Sequence, residues 1–174
     1  MARRMRALII AAVAAAASSA EAAETLQNVT SPVIQAEGSQ AALAKRATVC
    51  LTKNIRPEKG GQPVIQASDP ESGTVVAAAT FTFTRAAIAW TARSTLTVET
   101  KDGRFRLVHT ALQHRQGSES PSGLASFLGT NPRNDTWTDV GMWWGAGGET
   151  VKREAEALSA KVADCIKAAP KDDW

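Results

Sequence analysis

The sequence predicts an α+β fold, an antiparallel sheet with two helices packed on one of its faces. Two stretches, 40–55 and 150–169, repeat apolar residues at helical spacing. Between them lie four segments of strand composition. Asp102-Gly103 separates the last two, and such a dipeptide is a hairpin signal that makes its flanking strands antiparallel. The predicted order is β-α-β-β-β-β-α.

Residues 23–31 are polar and turn-like, so the mature N-terminus is expected to be ragged. Val33 to Ala36 is a short apolar run and a first strand. Gly38-Ser39 offers a helix N-cap. Leu43, Ala47, Cys50 and Leu51 then form one apolar face, and Pro57 with Gly60-Gly61 ends the helix. Gln62 to Ser68 is the second strand. Asp69 to Gly73 is a turn by composition. Thr74 to Thr84 is the third strand, with Phe81 and Phe83 on one face and Thr80, Thr82 and Thr84 on the other. Ser94 to Lys101 and Arg104 to Gln113 complete the sheet. In the last helix Val151, Ala155, Leu158, Val162, Cys165, Ile166 and Ala169 make a continuous stripe.

A type I′ turn at Asp102-Gly103 fixes a register. It sets Lys101 opposite Arg104, Thr100 opposite Phe105, Glu99 opposite Arg106, Val98 opposite Leu107 and Leu96 opposite His109. Leu96, Val98, Phe105 and Leu107 then share an oily face. Thr95, Thr97, Glu99, Arg106 and Thr110 share a polar one, where Glu99 and Arg106 form a cross-strand ion pair. Antiparallel sheets often leave such a face to water, and a concave one covered by a loop is also a binding surface.

From Leu43 to Leu112 the chain resembles exported bacterial domains of unknown function whose fold is like that of the TATA-box-binding protein. The resemblance rests on the helix, on the Asp69 to Gly73 turn before a long strand, and on the hairpin Lys101-Asp102-Gly103-Arg104-Phe105-Arg106. It implies a TBP-like fold. It implies no catalytic residues, and no DNA binding, because fold does not fix function.

The first 22 residues read as a secretory signal peptide. Arg3, Arg4 and Arg6 form a basic start, Ala7 to Ala17 an uncharged apolar stretch, and Ser18 to Ala23 a run of small residues broken by one glutamate. Cleavage after Ala22 is preferred, with Ala20 the neighbouring site. The apolar stretch is shorter than the roughly 20 residues a membrane span needs, and no later stretch is long and apolar enough. The expected location is the periplasm or the medium. Removing residues 1–22 takes away three Arg and one Glu, which leaves 17 basic and 16 acidic side chains, a net +1. So balanced a charge gives no reason to expect nucleic acid as a partner. Residues 23–174 are expected to form a single α+β domain with a Trp-bearing loop at about 115–148. Cys50 and Cys165, an even pair in an oxidising compartment, are expected to form a disulfide. Both lie on the apolar stripes of their helices.

Little in the sequence carries chemistry. His109 and His114 are five apart on one strand, so strict alternation sends them to opposite faces. His109, opposite Leu96, reads as a packed histidine and His114 as a solvated one. There is no zinc-type Cys/His spacing and no Gly-x-Ser-x-Gly elbow. Gly145 to Gly148 lacks the lysine of a phosphate loop. Asp69/Glu71 and Asp135/Asp139 are carboxylate pairs of the kind ordinary turns contain. No cofactor or metal is expected. Five tryptophans remain, and Trp137, Trp143 and Trp144 are the candidate binding residues. The loop that carries them reads either as an aromatic lip for a ligand or as a plug over a sheet edge. The functional expectation is a non-enzymatic module that binds a small molecule, a peptide or an envelope protein. The alternatives are a hydrolase with an unrecognised site and a structural envelope component.

Overall fold

The computed structural model describes residues 25–57, 62–85, 88–116, 136–142 and 147–168. The signal segment, Trp143, Trp144 and Trp174 lie outside the described residues. Two short strands, β1 (Asn28–Thr30) and β2 (Ile34–Gln35), precede helix α1 (Gln40–Asn54). Then come β3 (Ile65–Asp69), β4 (Thr74–Arg85), β5 (Ile88–Lys101), β6 (Arg104–Gln116), β7 (Thr138–Asp139) and helix α2 (Gly148–Ala168). All seven strands join one antiparallel sheet in the order β1-β6-β5-β4-β3, with β2 and β7 also paired to β6. The fold is α+β with both helices on one face, as expected.

Helix α1 begins where the sequence places it. The Ser39 hydroxyl accepts the Ala42 N–H, a standard N-cap. Two turns of the sheet complete the cap. Asp102 Oδ1 accepts the Gln40 N–H at 2.7 Å, and Gly103 donates to the Gly38 carbonyl at 3.0 Å. This docking changes the expected turn. Gly103 has φ +72°, but Asp102 stays outside the left-handed region, so the turn is not type I′. The predicted register from Lys101–Arg104 to Leu96–His109 is nevertheless found pair for pair. The Glu99–Arg106 pair forms at 2.7 Å.

The other turn supports the same helix end. Asp69 Oδ1 accepts the Glu71 and Ser72 N–H groups at 3.1 Å, and these bonds hold its carboxyl below the usual range. The Asp69/Glu71 pair is thus part of a turn. Gly73 then takes φ +72°, and a Cβ there would collide with the Thr100 carbonyl and the Gln40 side chain. Gly73→Ala is expected to lower stability by about 2 kcal/mol, from left-handed strain and forced repacking, read by thermal denaturation.

The core lies between the sheet's inward face and the two helices. Leu43, Leu51, Leu96, Leu107, Val162 and Ile166 are fully buried in one cluster, and each such side chain contributes roughly 2 kcal/mol relative to exposure. A second cluster joins Phe83, Ala92, Leu112 and Val140 to Val151 and Ala155 of α2. Cys50 and Cys165 form a disulfide across the two helices, with Cα atoms 5.7 Å apart. Among the described residues, no helix is long and apolar enough to cross a membrane.

Several boundaries differ from the sequence reading. The stretch expected to be ragged contains β1, which pairs with Val108 to Thr110. β3 starts at Ile65 rather than Gln62, and β6 runs on to Gln116. β5 starts at Ile88, six residues before the expected Ser94, because it pairs with β4 along its whole length. That pairing places Trp90 across from Phe83, with their rings stacked at 6.4 Å.

Candidate functional site

A one-residue bulge in β6 builds the site. Thr95 pairs with Thr110, yet Arg93 pairs with Gln113, so β6 carries one extra residue between the two pairs. That stretch contains Ala111, at φ +51° the non-glycine residue with positive φ among the described residues. The bulge reverses the alternation of everything after it. Phe105, Leu107 and His109 point inward, and after the slip so do Leu112 and His114. Gln113 and Arg115 are thereby carried to the outward face. The two histidines therefore share the inward face, which corrects the expectation from strict alternation. His114 is not solvated either: it is 9% exposed and stacks on Trp90 at 5.2 Å.

On the outward face Gln113 meets Arg93 of β5. Arg93 Nε and Nη2 donate to Gln113 Oε1 at 3.0 and 2.7 Å. Gln113 Nε2 donates to Asp139 Oδ1 at 3.1 Å, across the β6–β7 pair. Asp139 can only accept, so it turns the Gln113 amide and aims its carbonyl at the guanidinium. Trp137, just before β7, completes the group. The guanidinium carbons of Arg93 and Arg115 lie 4.2 and 4.5 Å from its ring centroid, within cation–π range. A cavity of about 300 Å³ opens beside Arg93, floored by Ala78, Ala111 and Thr95 and rimmed by Gln62, Gln66 and Thr80. Among the described residues, neither helix covers the Thr-rich face.

Left-handed backbone at a β-carbon residue is strained by about 1–2 kcal/mol, and such strain collects where a site needs a particular geometry. Ala111→Gly is expected to raise stability by about 1 kcal/mol, because glycine takes this φ freely. An unfolding midpoint that falls would mean that the Ala111 methyl is held by packing.

The inward side offers a histidine chemistry of another kind. His109 is fully buried, with Nδ1 2.8 Å from Ser94 Oγ and Nε2 3.0 Å from Ser159 Oγ. The ring thus bridges a strand hydroxyl and a helix hydroxyl, and in the neutral imidazole one nitrogen donates while the other accepts. Burial pushes its pKa down to about 4. Ser94 lines the outer cavity, but its hydroxyl turns inward to His109. A serine and a histidine are in contact here without either facing an open site, and this arrangement reads as a satisfied polar pair in a core. Among the described residues no group of His, Cys, Asp and Glu is arranged to hold a metal ion. A second groove, about 340 Å³, runs between β1–β2 and α2, but its Asp164 and Lys167 pair with each other at 2.8 Å.

Of the sequence candidates, the structure thus places Trp137 in a cluster and joins Cys50 to Cys165. Trp143 and Trp144 fall outside the described residues. The sequence does not single out Arg93, Gln113 or Arg115, and in it Asp139 stands only as half of a carboxylate pair. One signal was present: apolar residues and histidines at 105, 107 and 109 resume at 112 and 114, a phase slip that marks a bulge.

No family model matches the chain, and no curated protein matches it. Among solved structures it is similar to a TBP-like protein from Parabacteroides distasonis, with a TM-score of 0.59 and 10% identity over 82% of this chain and 94% of that one. The fold is TBP-like. A DUF4468 family protein from Bacteroides ovatus is also similar, with a TM-score of 0.52 and 15% identity over 84% of this chain and 89% of that one. At such identities the likeness concerns the fold alone. The Arg93–Gln113–Trp137 cluster stands on the sheet face opposite the two helices.

Proposed function

We propose that this is an exported, non-enzymatic binding module that works in the periplasm or outside the cell. Its signal peptide is removed after Ala22 or Ala20, and residues 23–174 act as one domain. The open sheet face at Trp137 is its binding surface, with Trp143 and Trp144 of the same loop as further contacts. The occupant is a small molecule, a peptide or an envelope protein. The observation that carries this reading is the oriented Arg93–Gln113–Asp139 chain beneath Trp137, at the edge of a cavity on the sheet face that neither helix covers. Preorganised polar groups beside a concavity are what a binding site requires. The Cys50–Cys165 disulfide supports export, since such bonds persist in oxidising compartments.

Native mass spectrometry of protein recovered from the periplasm tests the reading. The expected spectrum has the mass of the chain from Ala23 or Glu21 onward, less two hydrogens, and an added mass that denaturation removes. Uncleaved chain in the cytoplasm would defeat the export half. A bare chain, with no added mass under any recovery condition, would defeat small-molecule binding.

A further inference from the structure

Resting on that reading, we propose that the cavity beside Arg93 takes the carboxylate end of a small polar molecule. Among the described residues, Arg93 is the charged residue of its lining and no carboxylate lines it. The other polar groups of the lining are amides and hydroxyls, from Gln62, Gln66, Gln113, Thr80 and Thr95, set among proline and alanine side chains. Such mixed walls match a small molecule that carries hydroxyls or peptide groups on a short carbon frame. Arg93 is held for the task. Two of its N–H groups go to Gln113 Oε1, its guanidinium carbon sits 4.2 Å from the Trp137 ring centroid, and a guanidinium has three more donors to offer in the fork that fits a carboxylate. The one carboxylate of the cluster, Asp139, is engaged by Gln113 Nε2, so it orients the amide instead of neutralising the arginine.

Size and charge narrow the occupant. A cavity of about 300 Å³ is at the lower end of small-molecule sites. Farther along this face Arg106 is paired with Glu99 at 2.7 Å. One oriented guanidinium with a second nearby suits a single anionic group. A nucleic-acid backbone needs a row of free cations.

The test is a titration of the ¹⁵N-labelled folded chain with two acids, N-acetylglycine and galacturonate, and with their neutral partners, N-acetylglycinamide and galactose. The Trp137 indole and the Gln113 side-chain amide are followed. At least one acid is expected to shift both signals, at a concentration tenfold or more below its neutral partner. Arg93→Gln is expected to erase that preference while lowering the unfolding midpoint by only a few degrees, about 2–4 °C. Equal binding of acid and neutral partner would overturn the carboxylate assignment while leaving the face a binding surface. No shift with any probe would overturn it too, and the native spectrum described above then decides separately whether the face binds anything. Saturable shifts with a short DNA duplex at lower concentration than either acid would replace the small carboxylate with a polyanion.

Discussion

Replacing both Cys50 and Cys165 with alanine is expected to lower stability by about 4 kcal/mol and the thermal midpoint by about 10 °C. The bond joins residues 115 apart. Closing so long a loop removes much of the unfolded chain's freedom, and the chain-entropy argument puts that at roughly 4–5 kcal/mol. Cys50 is buried in the main core cluster and Cys165 packs against it, so the double variant also loses a little packing. Changing both residues at once leaves no lone thiol to confuse the result. A loss below about 1 kcal/mol would mean that the two helices are held by their apolar faces alone. Full stability after mild reduction of the folded protein would carry the same message.

The second large effect is acid sensitivity at His109. Its pKa falls from 6.5 to about 4 on folding, chiefly by burial. The unfolded chain therefore binds a proton below pH 6.5 that the folded chain refuses. Stability from this group is complete above pH 6.5, falls as the pH drops toward 4, and levels off below that. The full loss is about 3 kcal/mol. His109→Leu is expected to remove this slope. It also strands the Ser94 and Ser159 hydroxyls, which costs about 1–3 kcal/mol at neutral pH. Urea titrations of both proteins between pH 4 and 7 show it as curves that meet or cross, with the variant weaker at pH 7 and equal to or stronger than the parent at pH 4. Parallel curves would mean that water reaches the ring.

Much of the fold was legible in the sequence because its signals are local. Asp102-Gly103 set the β5–β6 register although the turn type was wrong, since loop length fixes pairing and the turn type only its twist. The two helices declared themselves through stripes that the sheet needs in order to bury its inward face. The first six residues of β5 were hidden because Ile88-Ala89-Trp90 shows no alternation. β1 and β7 have three and two residues, too few for any period to show. The candidate site was the least legible part. Arg93, Gln113, Trp137 and Asp139 come from three strands and the approach to one of them. Only the bulge at Ala111 turns Gln113 and Arg115 to the side where Arg93 stands.

That the Trp137 face binds, and is not merely a loop folded over an edge, is tested most directly by Trp137→Ala. The variant and the parent would be recovered from the periplasm and compared for retained mass and for unfolding midpoint. Trp137 is half-buried against two exposed-face arginines, so its loss is expected to cost only about 1 kcal/mol and to abolish the retained mass. A loss of about 3–5 kcal/mol, the range for emptying a core site, with the retained mass unchanged, would contradict the account and make Trp137 a plug.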